Sequence, residues 1–351
     1  MSTFAAPVIR IRAIEPIPNA DAIELAVVGD YRSVVRKGQF QAGDVAVYLP
    51  EASVLPDNLI ERLGLTGKLA GGAKNRIKAI RLRGCLSQGI LLADIPDKMV
   101  EGDDVSAILG VIKYEPPIPA SMAGEVANLF GQPLKYDIEN FKAFPDILLD
   151  GEEVEMTEKA HGTFCGVAVI PGLDHTEMFG GDGLAYSKGL GAKGLVFKDN
   201  EANAYNIYVQ AARSIGLHDR IRTTFPGKVV HVLGEVYGYG VQDLQYGRKD
   251  RGFAVFDISI DGAFLSRDAL AAACITLGLD RVPVLYRGPF SRDVMMQHTD
   301  GKTVIGYDAH IREGVVITPV VERRHDQIGR VILKSVSADY LLRKGEATEF
   351  S

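Results

Sequence analysis

Glu158-Lys159-Ala160-His161-Gly162-Thr163 is the stretch on which the reading of this chain turns. Most lysines are solvated surface charges. A nucleophilic lysine needs an amine that is partly deprotonated near neutral pH, which burial or neighbouring cations achieve. Gly162 would let the backbone approach a phosphate with no side chain in the way. The spacing Lys-x-x-Gly alone is not distinctive. It recurs at Lys68-Leu69-Ala70-Gly71, Lys188-Gly189-Leu190-Gly191 and Lys249-Asp250-Arg251-Gly252, so the choice rests on the residues downstream of each lysine.

Chemistry that carries a nucleotide on a lysine has four needs: the nucleophile, cations for the triphosphate, a carboxylate-held metal and a slot for the nucleoside. Behind Lys159 the chain offers candidates in order. They are Tyr186-Ser187-Lys188-Gly189, Leu233-Gly234-Glu235-Val236-Tyr237-Gly238, Phe253-Ala254-Val255-Phe256-Asp257-Ile258, Glu313-Gly314-Val315-Val316-Ile317 and Arg330-Val331-Ile332-Leu333-Lys334-Ser335. A carboxylate inside a run as apolar as Val229-Val230-His231-Val232-Leu233-Gly234-Glu235 is itself unusual, because strands covered on both faces seldom hold an unpaired charge. Lys68 lies in a β-rich first segment without such a sequel, Lys188 falls where the second element belongs, and Lys249 comes after the Gly-Glu strand.

From roughly Tyr136 to Leu342 these elements resemble the ATP-dependent RNA ligases of the covalent nucleotidyltransferase superfamily, and within them a nick-sealing, Deinococcus-type group with an N-terminal OB-fold. The resemblance implies that Lys159 becomes a lysyl–AMP adduct. It assigns Glu158, Gly162, Lys188, Glu235, Phe256 and Lys334 to ATP or AMP binding, with Glu235 on the ribose and Phe256 stacked on adenine. Glu313 would hold Mg²⁺ or Mn²⁺ near the α-phosphate, and Lys334 would stabilise charge on that phosphate. Lysine at 188 in place of arginine gives up a bidentate fork. The family's last motif commonly has two lysines one residue apart, whereas Ile332 and Val336 flank Lys334 here. Arg330 is a candidate for the second cation, on the expectation that one strand would turn it to the same face.

The segment from Pro7 to about Ile112 reads as all-β. Val8 to Ile14 alternates apolar and charged residues, and strand-like runs come next at Glu24 to Val28, Arg32 to Arg36, Asp44 to Leu49, Ile77 to Leu82 and Gly89 to Leu92. Turn residues separate them, a spacing that suggests a small barrel. Glu15-Pro16-Ile17-Pro18-Asn19-Ala20-Asp21 and Arg83-Gly84-Cys85-Leu86-Ser87-Gln88-Gly89-Ile90-Leu91-Leu92 are similar to patches of tRNA-binding OB-fold domains. Lys74, Arg76 and Lys78 would share one face of a strand as a nucleic-acid contact, or would guard a solvated edge.

Glu115-Pro116-Pro117-Ile118-Pro119 breaks regular structure. The expected organisation is an OB-fold-like domain at 1–115, a linker at 116–135, a catalytic domain at 136–344 and a frayed tail at 345–351. The fold class is α+β, a β-barrel followed by a nucleotidyltransferase domain built on antiparallel sheets. In the latter, Val229 to Val236, Phe253 to Ile258, Gly314 to Ile317 and Arg330 to Lys334 have strand composition, and Ala202 to Ile215 and Arg267 to Leu277 have helical spacing.

Hydrophobic residues make up 46% and charged residues 24% of the 351 positions, the balance of an ordinary globular protein. Three scattered cysteines argue against a zinc cluster or disulfide framework and fit a reducing cytoplasm. The histidines show no metal-ligand spacing, so a metal would fall to carboxylates. With a net charge of −6, bulk electrostatics do not attract nucleic acid, and any footprint must be local. Neither a secretory leader nor an apolar run of membrane-spanning length is expected.

The resemblance implies joining of 3′-hydroxyl and 5′-phosphate ends, at nicks with RNA on the 3′-hydroxyl side, in RNA or an RNA/DNA duplex, and a cytoplasmic monomer is expected. Little chain follows Lys334, which favours this reading over DNA ligases and capping enzymes that carry an OB-fold behind the last motif. The first domain would grip nucleic acid or support the catalytic domain. A non-catalytic OB-fold RNA-binding protein and a GTP-using guanylyltransferase are the rival readings.

Overall fold

The structure is a computed structural model that describes residues 4–129, 135–173, 175–181, 183–306 and 310–343. The expected tail at 345–351 and part of the expected linker lie outside the described residues.

Strands from Val8 to Lys113 pair only with one another, among the described residues. Val8–Arg10, Val45–Leu49 and Ile90–Leu92 form one antiparallel sheet, and Ala13–Pro16, Ile23–Val28 and Tyr31–Arg36 another. The run expected as one strand from Val8 to Ile14 is split at Ile11 and Arg12. There the backbone changes partners, with the Ile11 amide on Asp44 and the Arg12 amide on Val27. Such a switch carries one chain around a barrel corner. Its interior holds Ile11, Ala26, Val28, Phe40, Tyr48 and Leu91, and a second core around Val8, Val47, Leu55 and Leu59 lies under the helix Asp57–Arg62.

The expected strand from Ile77 to Leu82 is regular only over Ile80–Leu82. Lys74 sits in a turn with φ 53° and is exposed, and Arg76 is buried with its guanidinium 4.1 Å over the Tyr114 ring. The shared cationic face of Lys74, Arg76 and Lys78 therefore does not exist. The turn through Gly71 and Lys74 interrupts the alternation that such a face requires.

The rest of the chain builds two sheets. Seven antiparallel strands run in the order Val126–Asn128, Leu195–Phe197, Leu184–Tyr186, Thr163–Val169, Val230–Gly238, Arg251–Ile260 and Ala263–Phe264. Val126–Asn128 falls in the stretch expected as a linker, and nearby Met122 packs into this sheet's core. Five more strands run in the order Glu139–Asn140, Leu333–Val336, Gly314–Pro319, Glu153–Glu158 and Val284–Pro289, antiparallel except for the first pair. The helices Ile207–Ser214, Leu217–Thr224 and Arg267–Leu277 bury Val209, Ile221 and Leu270 against Val167, Val232 and Val255. The first of these begins later than its apolar spacing suggests. The Asn206 side chain accepts from the amides of Tyr208 and Val209, which fixes the N-cap there.

The two halves are joined through polar contacts. The Asp30 amide donates to the Lys142 carbonyl at 2.8 Å, Arg292 pairs with Asp30, and the Lys142 ammonium donates to Gln88 at 2.5 Å. Gly29, at φ 55°, is required at this junction, since a Cβ would lie 2.5 Å from the Lys142 carbonyl oxygen. No helix among the described residues is long and apolar enough to cross a membrane.

Candidate active site

Residues 159–162 are the crossing from one sheet to the other. Glu153–Glu158 ends the five-stranded side, and Thr163–Val169 opens the seven-stranded side. Lys159 is pinned by its amide to the Gly314 carbonyl at 3.0 Å. Gly162 is required for packing at this crossing. An added Cβ would stand 2.1 Å from the Val236 carbonyl oxygen and 2.9 Å from Cγ of Glu235.

One pocket lies between the sheets, and Lys159, Lys188, Glu235, Phe256, Glu313 and Lys334 all line it, together with Glu158 and Gly162. Sequence positions from 158 to 334 are thus brought to one place. Phe256 belongs to an aromatic wall with Tyr136 and Phe164, at ring-centroid distances of 5.2 and 5.7 Å, and Val316 lines the pocket from the other sheet. A flat apolar slot of this kind suits a purine base. Glu235 sits just past a register shift between Leu233 and Gly234, and the bulge re-aims the side chains beyond it. Lys188 opens the short helix Lys188–Ala192, capped by Ser187, and stands 3.7 Å from Asp137.

The ammonium of Lys159 pairs with Glu313, whose side chain is 4% exposed. Glu313 also has His161 3.4 Å away. Burial alone would raise the Glu313 carboxyl, but Lys159 and His161 outweigh it and hold its pKa below the ordinary carboxylate value. Burial opposes protonation of His161, yet Asp243 and Glu313 prevail and raise its pKa. Gly314 follows Glu313 at φ 151°, where a Cβ would come 2.1 Å from the Ser335 carbonyl oxygen. That approach draws Glu313 against the last strand.

Glu158 lines the pocket, but its side chain is engaged by the protein's own groups. Its carboxylate accepts from the Thr303 hydroxyl and, at 2.8 Å, from the Val304 amide. Burial raises its pKa, and those two bonds counteract part of the rise. Arg330, the candidate second cation, does not line the pocket, and its side chain is likewise engaged by the protein's own groups. The strand breaks after Gly329–Arg330 and resumes at Leu333. The Arg330 guanidinium is held by Asp257 and Glu322 and lies 4.0 Å over the Phe264 ring. Asp257, the acidic neighbour of Phe256, is wholly buried and also binds the Tyr136 hydroxyl and Arg267, each at 2.8 Å. It anchors the floor of the slot.

Lys113 is the residue that sequence reasoning missed. It closes the strand Ile112–Lys113 of the N-terminal half, yet it lines this pocket with Lys334 and Lys188. Nothing in Val111-Ile112-Lys113-Tyr114 marks it, because its place depends on how the two halves dock. A second, larger cleft of about 1520 Å³ runs between the halves, and Lys113, Glu313 and Lys334 line both. Arg76 and Lys78 line that cleft, whereas Lys74 does not. Among the described residues no group of three or more acidic, histidine or cysteine side chains is arranged to hold a metal.

Comparison with known proteins agrees with this fold. A family model described as RNA ligase matches residues 152–336, just over half of the chain, and one described as an OB-fold domain matches residues 5–94. None of the curated proteins matches the sequence significantly. Among solved structures, a Naegleria gruberi RNA ligase variant with ATP and Mn superposes with a TM-score of 0.80 at 22% identity, covering 96% of this chain and 98% of that one. The same ligase with PPi gives 0.80 at 24% identity, covering 97% and 98%, and a variant with AMP and Mn gives 0.79 at 23%, covering 95% and 97%.

Proposed function

Because the chain belongs to the RNA ligase family, we propose that it is an ATP-dependent ligase that works through a lysyl–AMP adduct on Lys159. The observation that carries this reading is the convergence of Lys159, Glu235, Phe256, Glu313 and Lys334 on one pocket. The similar Naegleria ligase, solved with ATP, AMP and PPi, supports nucleotide and pyrophosphate as the occupants.

In this reading adenine lies between Phe256 and Val316, and Glu235 accepts from the ribose hydroxyls. The Lys159 amine attacks the α-phosphorus, the bond to the β-phosphate oxygen breaks, and pyrophosphate leaves. Lys334, Lys188 and Lys113 offset the phosphate charge, so the cation lacking beside Lys334 is supplied by the other half of the molecule. Glu313 fits a divalent ion, being an ionised, buried oxygen donor beside the nucleophile. With no cage of protein ligands around it among the described residues, such an ion would draw other ligands from phosphate and water, as Mg²⁺ and Mn²⁺ do. When bound, the ion supplies charge neutralisation at the phosphates.

The AMP then passes to a 5′-phosphate end, and attack by a 3′-hydroxyl forms the phosphodiester and releases AMP. The division into domains at 1–115, 116–135 and 136–344, a monomer in a reducing cytoplasm, and a nicked duplex with RNA on the 3′-hydroxyl side belong to the same proposal. Nicked duplexes with RNA or DNA on either side of the break test the substrate. Sealing is expected with RNA at the 3′-hydroxyl end, and equal sealing of all-DNA nicks would contradict that preference.

A further inference from the structure

The short helix Ala338–Leu342 follows the last strand directly and folds back over the crossing that holds the nucleophile. Its start is tied to the backbone of Glu313, since the Ser337 amide donates to the Glu313 carbonyl at 2.8 Å. One turn on, Tyr340 is 4% exposed, and its hydroxyl lies 2.8 Å from Nδ1 of His161. Nε2 of the same imidazole lies 2.6 Å from Asp243. Arg343 closes the circuit, with two nitrogens on Asp243 at 3.1 and 3.0 Å and its guanidinium 3.8 Å over the Tyr340 ring.

His161 is 2% exposed and faces Glu313 as well as this circuit. Nδ1 is 2.8 Å from the phenol and 3.4 Å from Oε2 of Glu313. The shorter contact is a full hydrogen bond and the longer one is not a good one. If the phenol were absent, the imidazole would be free to close on Glu313 and take its second oxygen. The first oxygen already holds Lys159.

We propose that Tyr340 is a positioning residue for lysine adenylylation, holding the His161 ring off the second oxygen of Glu313. The segment beyond the last motif then completes the nucleophile's surroundings. This inference rests on the reading of Lys159 as the adenylylated residue.

The test is Tyr340→Phe, which keeps the ring beneath Arg343 and removes only the hydroxyl. Single-turnover labelling with radioactive ATP gives the limiting rate and the ATP concentration at half-maximal rate, and thermal melting reports the fold. The limiting rate should fall about tenfold, the kinetic equivalent of one lost hydrogen bond, with ATP dependence and melting nearly unchanged. Tyr340→Phe combined with His161→Ala should be no slower than His161→Ala alone, because the phenol acts through that ring. Labelling of Tyr340→Phe at the wild-type rate would overturn the proposal. So would a further tenfold loss in the double variant, or a rate loss matched by loss of folded protein. A wild-type protein that forms no adduct at all would remove the underlying function, whereas a labelled wild type with an unaffected Tyr340→Phe removes the tyrosine alone.

Discussion

The ammonium group of Lys159 is paired with the carboxylate of Glu313, a residue 154 positions further along the chain. A neighbouring carboxylate favours the charged amine, whereas attack on phosphorus needs the free amine. In the proposed reaction the pair therefore has to open before Lys159 attacks ATP.

Replacing Glu313 with glutamine removes the charge but keeps the shape. Adduct formation should fall by roughly 10²-fold or more, the scale seen when a transition-state electrostatic contact is lost. Rates measured across a range of Mg²⁺ and Mn²⁺ concentrations check this. Activity equal to wild type throughout would take Glu313 out of the metal role.

Glu235 projects from the bulged strand into the pocket. With Glu235→Ala the concentration of ATP giving half-maximal labelling should rise roughly tenfold, the worth of a hydrogen bond to a charged acceptor. Wild-type protein should discriminate against 2′-deoxy-ATP and the variant should not. Equal discrimination by both would place Glu235 away from the ribose.

Asp257 is fully buried among Tyr136, Arg267 and Arg330. Asp257→Asn leaves two guanidinium groups short of their counter-charge, a change that costs about 3–5 kcal/mol in buried pairs. Denaturant unfolding reads this loss, and an unaltered midpoint would show that Glu322 alone satisfies both arginines.

Glu152 accepts from Arg323 at 2.5 and 2.7 Å, just before the strand Glu153–Glu158 that leads to Lys159. Burial raises its pKa, but Arg323 and the Leu149 amide more than reverse this and lower it below 4.5. A carboxylate with a lowered folded pKa adds stability that is complete above the unfolded value and is lost as pH falls through the folded one. Arg323→Gln should thus be less stable than wild type near neutrality, with the gap closing in acid. A gap independent of pH would contradict this origin.

Much of the site was legible in the chain because its residues occur in order along it. Glu235 was conspicuous as a charge in an apolar strand, and Lys159 by its sequel. What escaped depends on tertiary docking. Lys113 reaches the pocket through the docking of the two halves, to which Gly29 and Asp30 contribute by seating the first half on residue 142. Tyr340 meets His161 across 179 positions. The errors have local causes. The turn at Lys74 broke a face that alternation alone implied, and the strand that would have turned Arg330 to the side of Lys334 breaks after it, where Arg330 pairs with Asp257.

The most direct measurement incubates wild-type and Lys159→Ala proteins with α-labelled ATP or GTP and a divalent metal, followed by denaturing electrophoresis. The account predicts a covalently labelled band from ATP with the wild type only. Label retained by Lys159→Ala, or acquired from GTP in preference to ATP, would contradict it.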